Sequence, residues 1–161
     1  MLEESFEQLD QEQCAAYLKR LKLPQEECTL EFLDRLIRRH LEEIPFENLD
    51  LVRTHELIST DLDTVYKKII QGKRGGYCFE LNALFLGLLR GLGYQAYPVA
   101  CRVLRRPGLR MPTHRASVVC ADGKKYFCDV GYGGFACVRA ALMEPGVVTL
   151  SLIHISEPTR P

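Results

Sequence analysis

An α+β fold is predicted because helical and strand patterns are separated along this chain of 161 residues. In the N-terminal half, apolar residues recur at the spacing that one face of a helix requires. In the C-terminal half they read as short strands, two of which flank Asp122-Gly123, a two-residue hairpin signal. Helices grouped ahead of strands are typical of the α+β class. We therefore expect a helical domain at residues 1–92 and a sheet domain at residues 93–150, with residues 151–161 matching neither pattern.

Composition and charge exclude several classes of function. Twenty-one basic side chains balance twenty-one acidic ones, so no net field favours nucleic acid or a membrane as a partner. No apolar run approaches the ~20 residues that span a bilayer, and the acidic N-terminus lacks the apolar core of a secretion signal. Seven cysteines without a Cys-x-x-Cys pair fit neither a disulfide framework nor a zinc site. We expect a cytoplasmic protein without a metal, of undetermined oligomeric state.

The apolar periodicity predicts three helices in the N-terminal part, at Glu12–Leu21, Leu30–Leu41 and Leu62–Gln71. Thr29 is a suitable N-cap for the second helix, because its hydroxyl can accept a hydrogen bond from the first turn. Ser59 or Thr60 is expected to open the third helix. Between these two helices, residues 44–50 form a turn-like segment whose proline, phenylalanine and leucine are expected to pack onto the core.

The rest of the chain is organised around the segment RGGYCFELN at residues 74–82. Apolar spacing predicts a helix over residues 79–92, ended by two glycine stop signals. Cys78 then lies in the first turn, where unpaired N–H groups and the helix dipole favour the reactive thiolate. Gly75 and Gly76 are expected to permit unusual backbone angles and to leave open space beside the sulfur. This pattern is typical of a nucleophile, although an inert buried cysteine is the commoner role of the residue type.

The C-terminal part is predicted to contain three strands, at Tyr94–Val103, His114–Ala121 and Lys124–Val130. Pro98 places the first strand at a sheet edge or at a bulge. A two-residue turn at Asp122-Gly123 sets the register of the other two, in which His114 and Asp129 become diagonal neighbours on one face. Their Cα atoms then lie roughly 7–8 Å apart, a gap that an imidazole and a carboxylate can bridge. Each residue taken singly is more commonly a surface or strand-end side chain.

A cysteine at a helix start, followed by a histidine and a carboxylate set side by side, is the arrangement of thiol catalysis. The histidine deprotonates the thiol and the carboxylate orients the histidine. The pattern along the chain does not by itself dock the predicted sheet on Cys78.

Four motifs, read in order along the chain, resemble those of the arylamine N-acetyltransferase family. They are IPFENLD at 44–50, RGGYCFELN at 74–82, PTHR at 112–115 and DVGYGG at 129–134. The resemblance implies a catalytic triad of Cys78, His114 and Asp129. It also implies a helical bundle, an antiparallel β-barrel-like sheet and a C-terminal lid, around a core resembling papain-like and transglutaminase-like enzymes. The implied activity is ping-pong transfer of an acetyl group from acetyl-CoA, through an acetyl-cysteine, to an arylamine, hydrazine or N-hydroxyarylamine.

The same resemblance suggests positions for substrate and CoA contacts. Thr113 lies in the loop where the family contacts both molecules, and Gly131, Gly133 and Gly134 would give the pantetheine arm access to the backbone, although a plain turn is equally compatible with these glycines. Four arginines of a basic loop are candidates for the CoA phosphates, with simple solvation as the commoner role: Arg102, Arg105, Arg106 and Arg110.

Members of the family are longer than this chain, and the resemblance covers roughly residues 12–150. We therefore expect a C-terminally truncated member that lacks the lid and part of the barrel, with unpaired sheet edges and exposed apolar surface. Two alternatives remain open from the residues. One is a papain- or transglutaminase-like thiol hydrolase that uses the same three side chains, and the other is an inactive remnant.

Overall fold

The computed structural model describes residues 7–54, 58–102, 112–133 and 137–145, which form a set of helices followed by an antiparallel sheet. The helices are α1 (Gln11–Leu21), α2 (Leu30–Glu43), α3 (Leu49–Thr54), α4 (Leu62–Tyr66), which continues as a π-helical turn (Lys67–Gln71), and α5 (Cys78–Leu92). The strands are β1 (Gln95–Cys101), β2 (His114–Ala121), β3 (Lys124–Cys128) and β4 (Ala141–Leu142). The predicted α+β class and the order of helices before strands are confirmed.

The helix starts follow from local capping side chains. Asp10 caps α1 in a capping box with Gln13, and Thr29 caps α2 by accepting the N–H of Phe32, as predicted. The prediction that Ser59 or Thr60 opens α4 is wrong. Asp61 holds that position, because its carboxylate accepts hydrogen bonds from both the backbone N–H and the hydroxyl of Thr64.

Helix α5 is the centre of the molecule. It packs against α1 and α4 on one side and against β1 and β2 on the other. Its apolar residues are buried over nearly the whole length of the helix, which is why its sequence is apolar almost all round rather than along one stripe. Gly93, in a left-handed conformation with φ of 107°, ends the helix as predicted. The nucleophile candidate therefore begins an element whose position is fixed on both sides.

Gly91 was predicted to help stop α5, but it lies inside the helix. A Cβ atom at this position would lie 2.4 Å from the carbonyl oxygen of Leu9 and 2.5 Å from Sγ of Cys14. The glycine is therefore required by the close approach of the segment that leads into α1.

Gly91→Ala tests this packing role. Alanine is the better helix former by about 1 kcal/mol, so an unhindered site would be stabilised by the change. Because the added methyl group meets a backbone carbonyl, we expect the opposite sign, a loss of about 1–3 kcal/mol in the free energy of unfolding. Urea denaturation measures this loss. Equal or greater stability would show that Gly91 only marks the helix end.

The described strands form one open sheet in the order β1-β2-β3-β4. Pro98 lies in the edge strand β1, as predicted, and the pairs Ala121–Lys124 and Val118–Phe127 confirm the predicted hairpin register. The barrel-like closure is not found among these strands, since four strands are too few to close on themselves. The two-residue strand β4, which pairs with β3, was not predicted. The proposed division between residues 1–92 and 93–150 stays a prediction, and residues 151–161 lie outside the described ranges.

The segment at residues 44–50 differs from its prediction. Phe46 and Leu49 were expected to pack onto the core, yet they are 46% and 58% exposed, and α3 begins inside the segment. The segment is held by polar contacts instead. The N–H of Glu47 donates to the carbonyl oxygen of Gly76 at 2.9 Å, and the carboxylates of Glu47 and Asp50 pair with Arg74. Backbone and ionic contacts fix this segment, so Phe46 and Leu49 are free to face outward, while Ile44 at its start is buried in the core.

Candidate active site

Cys78 is the first residue of α5, as predicted from the end of the glycine-containing loop. The preceding residue, Tyr77, has extended backbone angles and forms the N-cap position. Its N–H donates to Oε2 of Glu80 at 3.0 Å, so a side chain of the first turn reaches back to hold the residue before the cysteine. The thiol is partly exposed at the helix N-terminus, where backbone N–H groups lack partners within the helix.

Gly75 and Gly76 have a different role from the one predicted. Neither has a positive φ, and the atoms nearest to a Cβ built on either glycine do not belong to Cys78. A Cβ on Gly75 would lie 2.0 Å from the carbonyl oxygen of Pro45, and one on Gly76 would lie 3.1 Å from the carboxylate of Glu80. The two glycines allow the loop to run against residues 45–47, where Gly76 and Phe46 form a parallel bridge. Gly75 is therefore required by close packing against this segment, and Gly76 by close packing against Glu80 and Ile69.

His114 and Asp129 lie together, as the hairpin register predicted. His114 begins β2 and Asp129 follows directly after β3, with Nε2 of the imidazole 2.6 Å from Oδ2 of the carboxylate. Both side chains are buried. The exposed ring of Tyr132 meets the imidazole edge-on, with 5.5 Å between ring centroids. The pair is thus shielded from water and fixed in orientation.

Cys78 is close enough to His114 for its thiol to be one of the groups that raise the pKa of the imidazole, which links the sheet to the start of α5. Burial is the largest single influence and opposes a charge on the ring. Hydrogen bonds to Asp129 and Cys78, with the charges of both, outweigh it and raise the pKa of His114 to about 9. The imidazole therefore carries a proton at neutral pH.

The raised pKa gives a pH-dependent contribution to stability. In the unfolded chain the pKa of the histidine is 6.5, whereas the folded state retains the proton up to about pH 9. Between these values the folded state binds more protons, so the contribution is complete below pH 6.5 and is lost as the pH rises through 9. Its size is on the order of 3 kcal/mol. Urea unfolding should show that the free energy of unfolding falls less between pH 6.5 and 9 for Asp129→Asn than for the unmodified chain. Equal losses would contradict the attribution of the raised pKa of His114 to Asp129.

Asn82 is a site residue that the sequence patterns did not reveal. It lies one helical turn after Cys78, and its amide nitrogen donates to Oδ1 of Asp129 at 3.0 Å and to the carbonyl oxygen of Arg115 at 2.7 Å. Its amide oxygen accepts the N–H of Val130 at 3.1 Å. Asn82 therefore attaches the carboxylate to the same helix that carries the thiol. The sequence shows only a polar residue four positions after the candidate nucleophile, on the same face of the helix. The complete burial of its amide in the structure is what identifies Asn82 as part of the site.

The residues predicted to contact substrate or CoA occupy distinct positions. Thr113 is exposed beside His114, and its N–H donates to the carbonyl oxygen of Cys101. Gly131 is buried, and a Cβ atom there would lie 2.9 Å from Cα of Cys78. Gly133 has a positive φ of 73° and lies against the ring of Phe46. Thr113 thus lies beside the histidine and Gly131 beside the cysteine, and the contacts of all three residues with substrate or CoA stay predictions.

Some of the candidate residues lie elsewhere. Gly134 lies outside the described residues, as do three of the four arginines suggested for the CoA phosphates: Arg105, Arg106 and Arg110. The fourth, Arg102, is exposed just after β1.

Within the described ranges, no group of three or more histidine, cysteine or carboxylate side chains is arranged to hold a metal ion. In the same part of the chain, no helix has the length and apolar character needed to cross a membrane.

Other thiols of the described residues lie in settings that disfavour ionisation. Burial raises the pKa of Cys14 to about 11 and that of Cys128 to about 12. The pKa of Cys101 is also raised, mainly by burial, with the nearby Asp129 charge adding to the effect. None of these three is among the groups that raise the pKa of His114, whereas Cys78 is. The site thus distinguishes one thiol from several inert ones.

Comparison with known proteins defines the class of enzyme that contains this site. A family model described as N-acetyltransferase matches residues 29–153, so the chain falls within an acyltransferase family. The relatives narrow this class. An arylamine N-acetyltransferase / N-hydroxyarylamine O-acetyltransferase from Salmonella typhimurium is 39% identical over 108 residues, which are 66% of this chain and 38% of the relative. The chain belongs to the arylamine N-acetyltransferase family, as its motifs predicted.

Further relatives agree with this assignment. The arylamine N-acetyltransferase of Mycobacterium tuberculosis is 35% identical over 126 residues, 74% of this chain and 44% of the relative. The solved structure of the Salmonella typhimurium enzyme superposes with a TM-score of 0.83 at 31% identity, covering 89% of this chain and 53% of that chain. The corresponding enzyme of Mycobacterium abscessus gives a TM-score of 0.75 at 34% identity, covering 82% and 46%. The chain spans less than half the length of these curated relatives.

Proposed function

We propose that this chain carries the reacting groups of an acetyl-CoA-dependent arylamine N-acetyltransferase, with Cys78, His114 and Asp129 as its catalytic triad. The observation that supports this most directly is the buried imidazole of His114, which hydrogen-bonds Asp129 and whose pKa is raised by both Asp129 and Cys78. A thiol at a helix N-terminus beside a protonated imidazole is an activated nucleophile.

In the first half of the proposed reaction, Cys78 attacks the thioester carbonyl of acetyl-CoA as a thiolate. A carbon–sulfur bond forms to Cys78, the bond to the CoA sulfur breaks, and the proton of His114 passes to the departing CoA thiolate. The products are free CoA and an acetyl-cysteine. Backbone N–H groups of the first turn of α5 are the candidate donors to the oxyanion of the intermediate.

In the second half, the neutral imidazole left by the first step acts as the base. An arylamine, hydrazine or N-hydroxyarylamine attacks the acetyl-cysteine, His114 accepts the proton of the nucleophile, and the Cys78 thiolate leaves. Asp129 and Asn82 hold the ring so that the same nitrogen serves both half-reactions. This division into two steps accounts for a ping-pong mechanism.

The surroundings of the triad suit a small aromatic acceptor. The rings of Phe46 and Tyr132 are exposed, and Tyr132 lies against His114, so they offer an apolar surface on which an aromatic amine can stack. Thr113, Gly131 and Gly133 are proposed to contribute contacts to the acceptor or the CoA arm. A reducing cytoplasm, which keeps a thiol nucleophile free, is the compartment that fits this chemistry.

The test is formation of the covalent intermediate. On incubation with acetyl-CoA alone, we expect free CoA to appear and the peptide that contains Cys78 to gain the mass of one acetyl group; addition of 4-aminobenzoate should then remove that group. No acetylation of Cys78 would overturn the proposal. Hydrolysis of peptide amides without CoA would select the thiol hydrolase instead.

A further inference from the structure

A buried ion pair lies behind the first turn of α5. Glu80 is 1% exposed, and its Oε1 lies 2.8 Å from Nζ of Lys68. Its Oε2 accepts the N–H of Tyr77, the residue before Cys78. Lys68 is shared with a second carboxylate, that of Asp50, at 2.9 Å. The carboxylate of Glu80 thus holds the backbone from which the nucleophile projects, and the lysine holds that carboxylate.

Lys68 reaches this position from the π-helical turn that follows α4. The same turn buries Ile69 and Ile70, so its wider winding packs two isoleucines and still brings the lysine to the carboxylate. π-Helical turns are rare and occur frequently at functional sites. Burial opposes the charge on Lys68, but hydrogen bonds to Glu80 and Asp50 outweigh it and raise the lysine pKa. The ammonium group is therefore charged at neutral pH.

Several elements place charged or titratable groups around the first turn of α5. The titratable and charged groups involved are Tyr77 and Glu80 at the start of α5, Lys68 from the π-helical turn, Asp50 from α3, Arg74 from the preceding loop, His114 from β2 and Asp129 after β3.

Among these groups, Glu80 has two opposed effects on Cys78. By accepting the N–H of Tyr77 it fixes the geometry of the first turn. Its carboxylate lies 3.0 Å from the backbone nitrogen of Tyr77, the residue that precedes Cys78, and a negative charge this close to the start of the turn disfavours a second negative charge on the sulfur. Lys68 supplies a positive charge to that carboxylate and offsets the repulsion.

We propose that Lys68 and Glu80 are positioning residues that act as a compensated pair: Glu80 anchors the turn that carries Cys78, and Lys68 cancels the charge that this anchor places beside the thiolate. The inference rests on the proposed function, because the compensation matters to a nucleophile and not to an inert thiol. It assigns a role to two side chains that do not touch the reacting atoms.

The test follows the rate at which iodoacetamide alkylates Cys78 as a function of pH, with the modified peptide resolved by mass spectrometry. Removing the positive charge with Lys68→Met is expected to move the pH of half-maximal rate upward by about 0.5–1 unit. Glu80→Gln keeps an acceptor for the N–H of Tyr77 but removes the negative charge. This variant is expected to move the pH of half-maximal rate downward. The double variant is expected to lie between the single variants, close to the unmodified chain.

Matched variants separate charge from packing. Lys68→Arg keeps the charge, and Ile70→Val removes one buried methyl group from the same π-helical turn without changing charge. Both are expected to leave the pH of half-maximal rate unchanged. If Lys68→Met does not fold, Glu80→Gln still carries the test through its downward shift. Shifts of Lys68→Met and Glu80→Gln in the same direction, or no shift in folded Glu80→Gln, would overturn the compensated pair.

The two proposals fail separately. Acetyl-cysteine formation with acetyl-CoA, combined with no shift in either charge variant, overturns the compensated pair and leaves the proposed function in place. Opposed shifts without any acetylation of Cys78 support the charge compensation and overturn the acetyl transfer.

Discussion

Cys78→Ser is expected to lower the rate of acetyl transfer by at least about 10³-fold, since the nucleophile of a triad cannot be removed without losing most of the chemistry. A serine hydroxyl needs a base to take its proton during the attack, whereas a thiol is intrinsically far more acidic and reaches its reactive form more readily. The imidazole that would serve as that base is hydrogen-bonded to Asp129, which favours its protonated form and makes it a poor acceptor for the serine proton. The serine hydroxyl therefore occupies the position of the nucleophile, but His114 does not readily accept its proton.

The measurement is the release of CoA from acetyl-CoA in the presence of an arylamine, with the first half-reaction followed separately without amine. Cys28→Ser is the matched control. Cys28 is exposed and its thiol donates to the carbonyl oxygen of Leu92, a contact that a hydroxyl can replace. This control is expected to keep the activity of the unmodified chain. An active Cys78→Ser protein would show that another group starts the reaction.

The parts of the fold that depend on local patterns could be predicted from the sequence. Thr29 caps α2 because a hydroxyl at that position reaches the first turn, whatever the rest of the chain does. The contact between His114 and Asp129 follows from one pairing, Ala121 with Lys124, since the strand period of two carries that register to the ends of both strands. The register of one hairpin is therefore enough to predict the contact between a histidine and a carboxylate that are 15 positions apart.

The parts that depend on packing between distant segments could not be predicted. Nothing in the strand pattern indicates that β2 lies on α5, yet that contact brings His114 to Cys78. Asn82 looked like one polar residue in an apolar helix, and its role becomes visible only when Asp129 lies beside it. The outward orientation of Phe46 likewise results from contacts of its neighbours with residues about 30 positions away along the chain.

Gly131 is where the contact between sheet and helix is tightest. A Cβ atom there would lie 2.9 Å from Cα of Cys78 and 2.7 Å from the amide nitrogen of Asn82. Both neighbours belong to α5, which is packed on two sides and cannot move away easily. The loop after β3 must therefore yield instead, and it carries Asp129 with it. Since Asp129 holds His114, the added methyl group would move the imidazole away from the thiol.

Gly131→Ala is accordingly expected to lower the rate of acetyl transfer by about 10²-fold, the cost of a displacement of about 1 Å in a reacting group. The rate of CoA release and the alkylation of Cys78 should both fall, because both depend on the same imidazole. Gly123→Ala is the matched control: its Cβ would meet nothing within 4 Å in the β2–β3 turn, although its positive φ of 71° makes the change cost some stability. Reduced stability without reduced activity is expected there. A folded Gly131→Ala protein with an unchanged rate would mean that the loop accommodates the methyl group while His114 keeps its contact with Cys78, and that the triad does not depend on this close approach.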